Sequence, residues 1–419
     1  MSTVSGKKIK FVALSIISLP TLFQSPITYA EERKTEEDRF YRSGAQLIQT
    51  GNHESITSGT FVGDAYGGSD KLGGDVTLNS LTVSGNGTKL DGAGYGGYTE
   101  NGGNIFHNAI SITDGAEVTQ HVYGGWSDTG DISENTVTVS GGSQIKGSIY
   151  GGQSGGGSIS KNSVTVSDGN TVVEGSVMGG STAGASGAMT DNDVTIRSGA
   201  TVKGGVYGAH DRNASSNFDM IGNTVEVRGS GTEVGWVTGG YTLGSGTSSN
   251  VVVVKDSAAV AQDVYGGFSQ NGAAKNNYVS ITGGTVGRDV AGGYSFYGQA
   301  TNNKVIVGHS QISGSIYGGY GGGYDTSIDL ISDNEFHLVS ALRLGSDQTV
   351  ANFEKYNFDI GADIEAGDTM LHVGSPVDLA PELNNPNNVE SQVNITGVSK
   401  STKLVVGDKI TLINKTENA

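Results

Sequence analysis

Ten asparagines stand at nearly equal intervals along this chain: Asn79, Asn108, Asn135, Asn162, Asn192, Asn223, Asn250, Asn277, Asn303 and Asn334, separated by 29, 27, 27, 30, 31, 27, 27, 26 and 31 residues. The second and fourth residues after each are apolar, as at Val137 and Val139 or Val279 and Ile281, with Phe336 and Leu338 in the last copy. Side chains alternate across a strand, so each copy predicts a short strand with one buried face and one open face, Ser280 lying on the open one. A small-residue turn, a second apolar segment and a Gly-Gly pair come next, the pair headed by Tyr66, Tyr95, Tyr123, Tyr150, Met178, Tyr207, Thr238, Tyr265, Ala291 and Tyr317. Only Ala209 replaces a glycine of the pair. Glycine at constant phase marks either a bend with positive φ or a close approach between backbones. A polar stretch of variable length then leads to the next asparagine, which is where a stack of coils tolerates insertions.

This repetition predicts an all-β chain: a single-stranded parallel β-helix of about ten coils with a C-terminal β cap. A sandwich has no reason to repeat one pattern ten times, and a propeller blade needs about 40 residues for its four strands. Stacked coils must place like residues over like, about 4.8 Å apart, so ten of them give a rod of roughly 48 Å. The aligned valines and isoleucines then form an internal stack, and the aligned asparagines a hydrogen-bonded ladder.

Composition supports this class. Sixty-nine glycines, five prolines and 16% charged residues suit short strands and turns better than a helical bundle or a charged disordered chain. With no cysteine, disulfides and thiolate metal sites are excluded. A net charge of −17 argues against nucleic acid and anionic membrane surfaces as partners. At the amino end Lys7, Lys8 and Lys10 precede an apolar run from Phe11 to Phe23 and the triplet Thr28-Tyr29-Ala30. That is the pattern of a secretory signal peptide over residues 1–30, too short and too broken by Ser15, Ser18 and Pro20 for a transmembrane helix. Residues 31–50 are charged and carry Phe40, Tyr41, Ala45, Leu47 and Ile48 at helical spacing, which predicts an amino-terminal cap over the first coil.

The unit Asn-x-Val-x-Val, Gly-containing turn, Val-Tyr-Gly-Gly-aromatic, polar loop resembles the passenger repeats of autotransporter (type V secreted) outer-membrane proteins. The likeness covers Ile56 to about Leu344, within the repeat region 51–344. Beyond it, in 345–419, Asn352-Phe353-x-x-Tyr356-x-Phe358, Gly367-Asp368-Thr369-Met370-Leu371 and Gly407 to Ile413 are similar to the passenger end where that family places a stable folding cap. The resemblance implies export to the cell surface or medium and an adhesive role. Full-length relatives continue into an outer-membrane translocator barrel of alternating strands. This sequence stops at Ala419 without one, which is expected of a truncated or split gene product and would leave the chain periplasmic unless a translocator is supplied.

Catalytic and metal motifs weigh little against the glycine background. Gly152-Gln153-Ser154-Gly155-Gly156 fits a nucleophile elbow but lacks the helix and partners that motif needs. Gly92-x-Gly94-x-x-Gly97 imitates a dinucleotide fingerprint at the repeat's own spacing, and Gly318 to Asp325 is only faintly like a calcium-binding nonapeptide. Asp128, Asp131 and Glu134 share a loop, for which a solvated acidic cluster ranks ahead of a cation site. The seven histidines form no ligand pair and read as solvated surface residues. No catalytic residue, metal or cofactor is expected.

Aromatic residues remain. Directly after the glycine pair stand Tyr98, Trp126, Tyr241, Phe268, Tyr294 and Tyr320, the last four in consecutive repeats. Rings stacked one coil apart are first of all structural, covering a corner. The functional alternative makes Tyr241, Phe268, Tyr294 and Tyr320 a ligand-binding ridge for a host-cell surface protein or glycan. Three function classes compete: a non-catalytic adhesion or surface-interaction module, a polysaccharide-degrading β-helix enzyme, and a structural stalk presenting another domain. The first is expected, because no catalytic cluster accompanies the repetition.

Overall fold

In the computed structural model, the described residues are Ile27–Tyr29, as backbone, and 49–415 apart from 183, 185–186, 322–324 and 382. The signal-peptide reading of 1–30 and the amino-terminal cap of 31–50 therefore fall almost wholly outside the described residues. Ile27–Tyr29 itself pairs in parallel with His53–Ile56, adding one strand ahead of the first full coil. No helix occurs among the described residues, and the strands wind into a parallel β-solenoid of about eleven turns.

One coil shows how the sequence makes the turn. Thr136–Val139 forms the first face, Gln144–Ile145 and Ile149–Ser154 the second, and the two-residue strand Ile159–Ser160 the third. Stacked, these faces become sheets of fourteen, nineteen and nine strands, every pairing parallel and in register except for shifts between Val202 and Gly205 and between Phe358 and Asp359. Val137, Val139, Ile145 and Ile149 point inward and are fully buried, and their equivalents continue them through the whole rod. Ile105, Ile132, Ile159, Met189 and Met220 build a second, narrower stack behind the third face.

The asparagines form the expected ladder. Asn135 is fully buried; its backbone N–H and its Nδ2 both donate to Asn162 Oδ1, at 3.1 and 3.0 Å. The same pair of bonds recurs from Asn79 to Asn108 and onward to Asn334. Most of the Nδ2 groups also donate to a backbone carbonyl, as Asn135 does to Ile105 of the preceding coil. Buried polar groups are tolerated only when bonded in this way.

The ladder explains the glycine pair. A Cβ on Gly124 would lie 2.3 Å from the carbonyl oxygen of Gly151 in the next coil, and one on Gly125 would meet Ile105 Cγ2 at 2.7 Å and Asn135 Nδ2 at 3.0 Å. Of the two sequence readings, close approach is the one observed. Positive φ falls instead on the residue before each ladder asparagine: Leu78, His107, Glu134, Lys161, Asp191, Gly222, Ser249, Asn276, Asn302 and Asp333, between 53° and 71°. Only one of these ten is glycine, although the left-handed region costs other residues about 1 kcal/mol or more. The following asparagine, fixed on both sides by the ladder, over-determines the bend.

After Asn334 the repeat gives way to aromatic filling. Phe336, Phe353, Tyr356 and Phe358 are fully buried together, and Leu342–Arg343, Thr369–Val373 and Thr411–Lys415 form a separate three-stranded parallel sheet. The last strand of the long first sheet, Gln392–Val398, leaves Val393, Ile395 and Val398 exposed.

Candidate functional site

The outer side of the second face carries two neighbouring columns of side chains. In a regular strand residues three apart lie on opposite faces, yet Tyr317 and Tyr320 stack with ring centroids 4.4 Å apart and Tyr95 meets Tyr98 edge-on at 5.2 Å. The glycine pair makes this possible. Register runs Tyr123 to Tyr150 and then Gly125 to Gly152, leaving the first glycine of each pair outside the ladder. The offset is unchanged across it, so every coil breaks the strand alternation at the same glycine, and the side chains on both sides of the pair come out on one face. Both columns therefore face outward and lean together across the glycine pair.

In the first column Tyr66, Tyr95, Tyr123 and Tyr150 stack nearly parallel at 4.9, 4.8 and 4.9 Å. In the second, Tyr98 stacks on Trp126 at 4.9 Å. The four residues expected to form a ridge do line up: Tyr241 on Phe268 at 4.6 Å, Phe268 on Tyr294 at 4.7 Å, and Tyr294 edge-on to Tyr320 at 5.0 Å. All four are half-buried, and Phe268 is stacked on both faces, between Tyr241 and Tyr294. Burial raises the phenol pKa of Tyr241, Tyr294 and Tyr320, so their hydroxyls stay protonated donors at neutral pH. The row is thus neither a free ridge nor core packing; the rings stack on one another and present a half-exposed strip.

Sequence reasoning missed the row's fifth member. His210 stacks on Tyr241 at 5.2 Å and lies 4.6 Å from Tyr207. It is 6% exposed, which corrects the expectation that every histidine is a solvated surface residue. Desolvation, and secondarily the nearby Arg212, lower its pKa to about 4. Arg212 Nε donates to His210 Nε2 at 3.3 Å, which puts the remaining ring proton on Nδ1.

The catalytic imitations resolve into structural parts. Ser154 is buried; its Oγ donates to Gly130 O at 2.9 Å and accepts from Gly157 N at 2.8 Å, as Ser127 and Ser295 do in their own coils. Asp131 Oδ1 caps Ser158 N at 2.8 Å, while Glu134 pairs with His107 at 3.1 Å. No group of three potential metal ligands occurs among the described residues. Residues 322–324 of the faint nonapeptide lie outside them.

Fold and surface together define a parallel β-solenoid carrying two aromatic columns on one outer face. No family model matches the chain, and comparison with curated proteins and with solved structures finds no match.

Proposed function

We propose that this protein is an exported, non-catalytic surface-interaction module of the autotransporter passenger type, which adheres to a host-cell surface protein or glycan through the strip Tyr241, Phe268, Tyr294 and Tyr320. The observation that carries this reading is the strip itself: four half-exposed rings in register on consecutive coils. Half-exposed aromatic rings bring large contact area at low entropic cost, which is how interfaces concentrate their binding energy. The repeated coils hold them rigid, so little ordering remains to oppose binding.

The test is a variant with Tyr241, Phe268, Tyr294 and Tyr320 all changed to Ser, screened with the unaltered protein against host-cell extracts and a glycan array, with a lyase assay alongside. The strip account expects binding to fall at least tenfold. Melting should drop only modestly, because stacked pairs contribute about 0.5–1.5 kcal/mol each beyond their buried area. Unchanged binding would move the search to the variable loops over residues 184–191 and 211–222, and lyase activity would replace adhesion with catalysis.

A further inference from the structure

The second aromatic column is interrupted. In register it reads Tyr98, Trp126, Gln153, Ser181, His210, Tyr241, so two successive coils offer no ring. Trp126 and His210 are three coils apart, about 14 Å at the usual strand spacing. In the first column, the coil between Tyr150 and Tyr207 carries Met178, a side chain much narrower than a ring. At this double gap the surface holds a cavity of about 300 Å³, walled by Tyr150, Tyr207 and His210 and floored by Gln153, Ser181 and neighbouring serines.

The cavity's chemistry is specific. Gln153 lines the floor together with the hydroxyls of Ser148, Ser176, Ser181 and Thr182, a polar surface between the aromatic walls. Arg212 stands at the rim, bonded to His210 and in no ion pair with a carboxylate among the described residues. Its sequence neighbour Asp211 is turned inward, taking Asn213 N at 2.8 Å and Thr242 Oγ1 at 3.3 Å. His210 is uncharged at neutral pH, so Arg212 is the cavity's cation on a chain whose net charge is −17.

We propose that this gap is a binding site for one carboxylate-bearing monosaccharide unit, an acidic sugar residue of a glycan, whose ring takes the place of the missing aromatic rings. A pyranose has an apolar C–H face that lies against Tyr150, Tyr207 or His210, and hydroxyls that pair with the polar floor of Ser148, Ser176, Ser181 and Thr182. Its carboxylate meets the planar fork of Arg212, the geometry in which guanidinium groups recognise carboxylates best. A planar aromatic ligand would use the walls but leave the hydroxyl and amide floor unanswered. The cavity lies beside the adhesive strip and its occupancy stands independently of whether the strip binds a partner.

The experiment is saturation-transfer NMR and calorimetric titration on the full chain with methyl glucuronide and the methyl glycoside of N-acetylneuraminic acid, against methyl glucoside and adenosine. Two variants accompany it. Ser181→Tyr fills the gap with a ring that continues the column from His210, and Arg212→Gln removes the cation. The proposal expects at least one acidic probe to bind the unaltered chain. Ser181→Tyr should weaken that binding at least tenfold while keeping the β spectrum and the melting temperature. Arg212→Gln should bring the acidic probe down to the level of methyl glucoside. Failure of both acidic probes at millimolar concentration, undiminished binding in Ser181→Tyr, or tighter binding of methyl glucoside or adenosine each overturns it.

Discussion

Replacing Asn192 with Ala removes a rung from the middle of the ladder. Asn162 loses the acceptor of its backbone N–H, at 3.1 Å, and of its Nδ2, at 3.0 Å; the donations from Asn192 to Ile159 O and Asn223 Oδ1 disappear as well. All these groups are buried, and a stranded buried donor costs about 1–3 kcal/mol. Asn162 Nδ2 keeps its long bond to Ile132 O, so the expected loss is about 2–5 kcal/mol, the backbone N–H contributing most. Asn192→Asp separates the roles. A carboxylate still accepts from Asn162 but faces two acceptors, Ile159 O and Asn223 Oδ1, so its ionised form is disfavoured and its folded-state pKa raised. The folded state then holds more protons than the unfolded one, and stability rises as pH falls through the folded pKa toward the ordinary carboxylate value. Thermal unfolding of both variants from pH 7 to pH 4, with hydrogen exchange at the Asn162 amide, reads this directly. The Asp variant should gain on the Ala variant in acid. An Ala variant within about 0.5 kcal/mol of the parent, or an Asp variant that falls behind it in acid, refutes the ladder as a source of stability.

Three further outcomes rest on the same geometry. Gly124→Ala should destabilise by several kcal/mol, its Cβ forced against Gly151 O, whereas Gly169→Ala, whose Cβ meets nothing within 4 Å, should be neutral or slightly stabilising in chemical unfolding. Val137→Asp buries an unpaired charge in the stack and should cost several kcal/mol, against little for the outward Thr138→Asp, both read by melting temperature. His210 has a folded pKa of about 4 against an ordinary 6.5, so the unfolded chain binds more protons between those values and stability falls as pH drops through that window. The loss reaches about 3 kcal/mol, and His210→Asn should lack this component in pH-dependent unfolding.

A position is legible in the sequence to the degree that its surroundings restrict its residue. The ladder accepts only a side chain that donates and accepts at once, so asparagine is printed in every coil, and the pair beside it leaves so little room for a Cβ that glycine holds every position but Ala209. The bend before each asparagine is equally regular but left only a weak mark: Asn, Asp, His and Gly hold six of the ten positions, yet the ladder imposes the bend on Leu78 and Lys161 as well. Alternation placed Ser280 outward correctly, yet it is 8% exposed, flanked in register by Val253 and Ile306 rather than lying open. Of the candidate site, the row from Tyr241 to Tyr320 was readable because aromatic residues are rare and in phase. His210 was not, since its coil breaks the motif at Ala209, and the cavity was invisible because a gap in a column is no motif.

All of this depends on one arrangement, coils stacked in register, and the absence of native cysteine makes it directly testable. Thr138, Thr165 and Thr195 are outward neighbours on three successive coils, paired in that order. Adjacent coils bring Cα atoms within the range of about 4.4–6.8 Å that a disulfide spans, and coils two apart do not. Oxidation of the double variant Thr138→Cys/Thr165→Cys should give a high yield of intramolecular disulfide, and Thr138→Cys/Thr195→Cys almost none. Equal yields, or cross-linking only in the second pair, would contradict the solenoid register on which the ladder, the aromatic strip and the cavity all rest.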